Sequence, residues 1–206
     1  MDPLDRRDRL ARAHLYLVLD GRATEGLLEA ALRGGVDIVQ LRDKELPDDE
    51  LVAAAVPFRD ACERHGALFV LNDRPELVSV CGADGVHVGQ RDASVAEARA
   101  LVGDDRLVGL SIETEEELDE VAGADYLGVG AVFATPTKSE ATAAGFELVR
   151  AAAARVQIPW FAIGGIDLDT VDKVVAAGAP GIAVVRAIRD ADDPEAAARA
   201  LKLHVA

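Results

Sequence analysis

Apolar positions along this chain fall into eight short, near-continuous runs separated by longer segments of mixed character. The runs are His14–Leu19, Val36–Leu41, Leu68–Leu71, Gly85–Val88, Leu107–Leu110, Tyr126–Val129, Trp160–Ile163 and Gly181–Val185. The segments between them carry apolar residues at helical spacing, as in Leu27, Leu28, Ala31 and Leu32, or Leu51, Ala54, Ala55 and Phe58. Strands apolar on both faces, alternating with amphipathic helices, predict a parallel sheet covered by helices. Gly34-Gly35, Gly66, Gly123 and Gly178 stand shortly before runs, where a helix end must turn into the next strand.

Eight such units in about 190 residues predict an α/β fold of the (β/α)8 TIM-barrel type. The rival is a doubly wound open sheet, which usually has fewer strands and a glycine-rich loop after the first. Here the first run is followed by Asp20-Gly21-Arg22-Ala23, without that fingerprint. No linker or second composition zone interrupts the pattern. Residues 1–206 therefore read as one TIM-barrel domain, with 1–12 as an N-terminal extension.

Charge narrows the partners. Asp and Glu total 37 against 22 Lys and Arg, a formal net charge of −15 over 206 residues. A field of that sign repels polyanions, so nucleic acid and anionic membranes are excluded as partners. Eight aromatic residues are too few for a base-stacking platform. The first ten residues mix both charges and lack the apolar core of a secretory signal, and no apolar run approaches a membrane span. Cys62 and Cys81 lack metal-ligand spacing and read as buried, reduced core residues. These features predict a cytoplasmic protein and leave room for a homo-oligomer.

Barrel active sites are built from strand C-terminal ends and the loops that follow, so the polar residues there carry the candidate chemistry. Period-two alternation puts Ile38, Gln40 and Arg42 on one face, with Lys44 just beyond. Arg holds phosphate bidentately and Lys as a point charge; a solvated charged turn is the plainer reading. Asn72-Asp73 follows strand three and Asp92 follows strand four. Two carboxylates without a His or Cys cluster suit Mg²⁺, which takes oxygen ligands together with substrate phosphates; two helix N-caps are the alternative. Ser111 ends strand five. Strand six leads into a long loop with Thr135, Pro136, Thr137 and Lys138, suited to phosphate. Gly164-Gly165 and Val185-Arg186 end strands seven and eight, where barrels often hold phosphate on backbone N–H groups. His87 reads as a satisfied core histidine, and Trp160 as packing. No Ser-His-Asp or Cys-His set and no poised acid–base pair is visible. Such a mouth suits departure of a magnesium-bound diphosphate, with the protein positioning two phosphorylated substrates.

Val39-Gln-Leu-Arg-Asp-Lys44, Asn72-Asp-Arg74, Asp84-Gly-Val-His-Val-Gly-Gln90, Gly128-Val-Gly-Ala-Val-Phe-Ala-Thr-Pro-Thr-Lys138 and Ala162-Ile-Gly-Gly-Ile166 together resemble the thiamine-phosphate synthase family. The resemblance runs in order from about residue 14 to 190. It implies a transferase of thiamine biosynthesis that joins 4-amino-2-methyl-5-hydroxymethylpyrimidine diphosphate to a thiazole phosphate, with Mg²⁺ as cofactor. It assigns Gln40, Arg42, Lys44, Asn72, Ser111 and Lys138 to the pyrimidine diphosphate. Asp73 and Asp92 fall to Mg²⁺, and Thr135, Thr137, Gly165 and the backbone at Val185-Arg186 to the thiazole phosphate, with Pro136 in the substrate-binding set. Arg42, Lys44, Ser111 and Lys138 are the candidate catalytic groups. The implied mechanism is dissociative: diphosphate leaves, the aminopyrimidine stabilises the cation, and the thiazole nitrogen captures it.

Two positions depart from the family pattern. Arg186 stands where Ser is frequent, and Glu113 where many members carry His. Related thiazole phosphate tautomerases rely on a His in that region, so Glu113 argues against that alternative. A non-catalytic thiamine-phosphate-binding barrel would not need the diphosphate and metal edge.

With Lys44 and Lys138 assigned to the mouth, the remaining acid is expected largely on helices, as in Glu115–Glu120 and Asp190–Asp193. A charge of −15 exceeds the magnitude of about 2–8 comfortable for a small domain, so self-repulsion should be relieved by screening. Thermal unfolding should accordingly shift to higher temperature as KCl is added, and a flat or falling response contradicts this reading.

Overall fold

The computed structural model describes residues 3–133 and 145–205. Eight strands form a closed, all-parallel barrel in sequence order. They are β1 (Leu15–Leu19), β2 (Ile38–Leu41), β3 (Leu68–Asn72), β4 (Gly85–Val88), β5 (Leu107–Ile112), β6 (Tyr126–Val129), β7 (Trp160–Ile163) and β8 (Ile182–Val184). Each matches one apolar run; β4, β6 and β7 coincide with theirs, and the other ends move by no more than two residues. The helices are α1 (Pro3–Ala11), α2 (Glu25–Arg33), α3 (Asp48–His65), α4 (Val78–Cys81), α5 (Val95–Val102), α6 (Gly145–Arg155), α7 (Val171–Ala176), α8 (Arg186–Arg189) and α9 (Pro194–Val205). Closure comes from β1 pairing with β8, Tyr16 opposite Ala183, while β1 also pairs with β2, Tyr16 opposite Ile38 and Val18 opposite Gln40.

Alternation along the strands divides the apolar residues into two cores. Tyr16, Val18, Ile38, Leu68, Val70, Leu107, Tyr126, Phe161 and Ala183 fill the barrel interior. Leu17, Val39, Phe69, Val86, Val108, Leu127, Trp160 and Ala162 face the surrounding helices. Both faces of a strand are thus buried, which explains the near-continuous apolar runs. Helix ends follow local chemistry. The Thr24 hydroxyl accepts from Leu27 N–H to start α2, and Ser94 with Glu97 forms a reciprocal capping box on α5. Cys62 and Cys81 are buried free thiols.

Two acidic stretches are not α-helical, contrary to expectation. Glu116–Asp119 forms a short 3-10 turn. Its one buried apolar anchor, Leu118, sits among like charges that oppose a longer helix. Asp190–Asp193 links α8 to α9, and Asp193 accepts from Ala196 N–H while Pro194 opens the helix. That is an N-cap followed by proline at the first helical position, so the acids belong to the boundary.

The end of the barrel where strands begin is finished by three aspartates. Asp37 accepts from Leu15 N–H, Asp84 from Phe69 N–H and Asp125 from Val108 N–H. Each precedes an even-numbered strand and ties down the start of the odd-numbered strand before it. Each also meets a cation: Lys202 at Asp37, Arg6 at Asp84 (2.8 Å), and Arg7 with Arg99 at Asp125. Arg6 and Arg7 come from α1, whose Leu10 packs into the interior core. The segment 3–11 is therefore a helix docked against the barrel. Arg6 and Asp84 are both buried, and removing one partner leaves an uncompensated charge, worth about 3–5 kcal/mol. Arg6→Ala is expected to lower unfolding stability by about 3 kcal/mol, measured by urea denaturation. A change below about 0.5 kcal/mol, as for an ordinary surface substitution, contradicts the clasp.

Candidate active site

The opposite end of the barrel opens into a cavity of about 540 Å³. Gln40, Arg42, Asn72, Ser111, Gly165, Val185 and Arg186 all line it. They arrive from β2, β3, β5, β7 and β8 or the residues just after them, as strand alternation requires. Lys44, Asp73 and Asp92 form a second cluster, with the Lys44 ammonium 3.1 Å from Asp73 and 3.8 Å from Asp92. Thr135, Pro136, Thr137 and Lys138 lie outside the described residues.

Neither carboxylate is a helix N-cap. Asp73 directly follows β3 in a left-handed conformation with φ 54°, and Arg74 has φ 39°. Two successive non-glycine residues in that region carry strain of roughly 1–3 kcal/mol each. Asp92 accepts from Gly89 N–H at 3.0 Å, and the cap of α5 is Ser94. Burial raises the Asp73 pKa, Lys44 opposes the rise, and the adjacent Asp92 carboxylate adds to it. A pair of partly buried carboxylates this close needs a cation, which Lys44 supplies here. Oxygen donors without His or Cys fit Mg²⁺, which typically takes one or two carboxylates plus substrate phosphates.

Cations in the cavity are differently placed. Arg42 and Arg186 line it without a close ion pair among the described residues, and Arg186 is near enough to Asp190, also on the lining, to help Arg189 hold that carboxyl's pKa down. Gly164 and Gly165 have φ of 110° and 67°, strained for other residues. Gly164 also lets the backbone after β6 approach: a methyl there would lie 2.7 Å from Ala131 Cα. Close approach of two chain segments therefore already requires this glycine.

The cavity floor contains residues that motif reading did not select. Gln40 Nε2 donates to Tyr16 Oη at 2.7 Å, and Tyr16 Oη lies 3.0 Å from Tyr126 Oη. Tyr126 Oη is 3.2 Å from His87 Nδ1, and His87 Nε2 is 3.0 Å from Ser111 Oγ. His87 is buried with both ring nitrogens engaged, in keeping with a satisfied core histidine, yet it also lines the cavity directly beside Ser111. Interior-facing alternation could have flagged Tyr16 and Tyr126, but their runs read as simple apolar strands. Gln90 Nε2 donates to the Ser111 carbonyl at 2.8 Å, joining the ends of β4 and β5.

The family model described as thiamine monophosphate synthase matches residues 15–188. The chain belongs to the thiamine monophosphate synthase family. It is an enzyme of that family, a transferase. A thiamine-phosphate synthase of Thermobifida fusca is 51% identical over 204 residues, covering 95% of this chain and 94% of that protein. One from Gloeobacter violaceus is 50% identical and covers 92% of this chain, which spans only 57% of that longer protein. The structure titled thiamine phosphate pyrophosphorylase from Pyrococcus furiosus superposes with a TM-score of 0.86 at 32% identity, covering 97% and 96% of the two chains.

In this synthase-family barrel, a divalent cation at Asp73 and Asp92 would answer the same electrostatic need that Lys44 meets. Lys44→Ala leaves two close carboxylates without their cation. Mg²⁺ bound there would stabilise the native state by mass action. Mg²⁺ should therefore raise the melting temperature of Lys44→Ala more than that of the wild type, measured by calorimetry. Equal shifts contradict a shared site.

Proposed function

We propose that this family member condenses 4-amino-2-methyl-5-hydroxymethylpyrimidine diphosphate with a thiazole phosphate, in a Mg²⁺-dependent reaction in the cytoplasm that yields thiamine phosphate and diphosphate. The observation that carries the reading is the acid pair Asp73 and Asp92, spanned by Lys44 and close in sequence to the cavity-lining Asn72 and Arg42. That arrangement suits a leaving diphosphate better than a neutral ligand.

Asp73 and Asp92 would hold Mg²⁺, which when bound neutralises charge on the leaving diphosphate. Arg42 and Lys44 bind its oxygens, with Lys44 turning from the carboxylates to phosphate. Lys138 adds a further cation. Asn72, Gln40 and Ser111 orient the aminopyrimidine over the cavity floor. Thr135, Thr137 and the backbone at Gly165, Val185 and Arg186 hold the thiazole phosphate, and Pro136 belongs to the same substrate-binding set. Bond cleavage precedes bond formation, so the side chains position and stabilise charge and need not abstract a proton. The bonds engaging both His87 ring nitrogens agree with that division of labour.

Diphosphate release should require both substrates and Mg²⁺ together. Asp92→Asn should lower kcat/KM by at least roughly 100-fold while circular dichroism shows an intact fold. Full activity of Asp92→Asn defeats the metal assignment. Binding of thiamine phosphate without any diphosphate release defeats the catalytic one.

A further inference from the structure

The buried chain Gln40–Tyr16–Tyr126–His87–Ser111 can be followed proton by proton from its amide end. A phenol has a single proton, lying near the ring plane. Tyr16 Oη already receives an N–H from Gln40. Its own proton cannot be given back to that nitrogen, and Tyr126 Oη is the other side-chain polar atom it bonds; a proton placed there sets the direction of the rest of the chain. In that direction Tyr126 gives its own proton to His87 Nδ1, 3.2 Å away. An imidazole that accepts at Nδ1 carries its proton on Nε2 and donates it to Ser111 Oγ. The Ser111 proton then points away from His87, toward the cavity. At the other end, Gln40 has committed its nitrogen to Tyr16. The carbonyl oxygen of the amide is left for the cavity, since among the described residues no buried side-chain polar atom lacks a partner and Gln40 makes no other side-chain hydrogen bond.

The backbone is shaped to hold this chain. A methyl on Gly109 would lie 2.2 Å from Tyr126 Cζ and 2.6 Å from His87 Nδ1, and one on Gly128 would lie 3.2 Å from His87 Cε1. Two interior strand positions are thus empty of side chains where the Tyr126–His87 bond passes. Phe161 packs edge-on to both tyrosines, at 5.4 and 6.1 Å between ring centroids. Burial also raises the pKa of both phenols, which keeps them protonated.

We infer that Tyr16, Tyr126 and His87 are positioning residues that fix the hydrogen-bonding polarity of the cavity floor, making Ser111 a donor and Gln40 an acceptor. That polarity selects a heterocycle with an exocyclic amine beside an acceptor ring nitrogen. It rejects the corresponding oxo compound, which carries N–H and C=O in the reverse order. This inference rests on the proposed reaction for its ligand, while the floor polarity rests on the order of contacts and on the proton direction inferred along it, independently of that reaction.

The test therefore has two parts. Nitrogen NMR on the ligand-free full chain, with the His87 signal assigned by its loss in His87→Gln, should show His87 as the Nε2–H tautomer. Tyr16→Phe and Tyr126→Phe should each shift it toward a mixture. An Nδ1–H tautomer in the wild type overturns the inference whatever the enzyme's activity. In turnover, Tyr126→Phe should raise KM for the pyrimidine diphosphate by roughly tenfold, the value of about one hydrogen bond, with KM for the thiazole phosphate unchanged. Discrimination against the 4-oxo analogue of the pyrimidine diphosphate should narrow by a similar factor. Unchanged discrimination in both tyrosine variants, alongside active enzyme, also overturns it. If the wild type turns over neither compound, the proposed function fails and the tautomer still decides the floor polarity.

Discussion

Everything at the mouth depends on β1 pairing with β8. A parallel sheet left open would present two edges of unpaired backbone groups. Closure satisfies them within the barrel and forces successive side chains to point alternately inward and toward the helices. Residues far apart in the chain then share one interior: Tyr16 meets Tyr126 and Phe161 because β1, β6 and β7 surround the same axis. The chemistry of the floor is a consequence of that geometry, and so is the gathering of Gln40, Asn72, Ser111 and Gly165 around a single cavity.

The interior is also where burial is most costly. A buried amide or hydroxyl without a partner costs about 1–3 kcal/mol, and Tyr16, Gln40, His87 and Tyr126 are all buried. Joining them into one chain removes that penalty for each. Aspartates at the opposite end solve a related problem. Asp37, Asp84 and Asp125 take up backbone N–H groups at strand starts, and their charges are then matched by Lys202, Arg6, Arg7 and Arg99. One end of the barrel is thus saturated internally. The other keeps donors and acceptors for ligands.

Much of this was legible in the residues. Runs apolar on both faces marked all eight strands, and period-two alternation placed Gln40 and Arg42 together. Legibility failed where a residue's role depends on partners distant in sequence. Tyr16 and Tyr126 look like any aromatic in an apolar run, and their hydrogen bond spans 110 positions. Asp84 reads as a turn residue, yet its guanidinium partner lies 78 positions earlier. Gly109 gives no sign in sequence of the Tyr126 ring it makes room for. The acidic stretches misled for a local reason: Leu118 alone could not anchor a helix, and Asp193 serves as the boundary to α9.

These placements alter the meaning of the net charge of −15. In so acidic a chain, a guanidinium near any carboxylate gains by pairing with it, and Arg6, Arg33, Arg64, Arg99 and Arg189 all do so. Folding leaves part of the cationic capacity unspent at the mouth, where Arg189 is paired with Asp190 but Arg42 and Arg186 form no close ion pair among the described residues. An anionic ligand entering there exchanges solvent for charges already held in position, so little reorganisation opposes binding. The long-range field of the acidic exterior opposes the approach of that same ligand, but screening at cellular ionic strength confines the opposition to within about 8 Å of each exposed charge. Local preorganisation, at hydrogen-bonding distance, outweighs it.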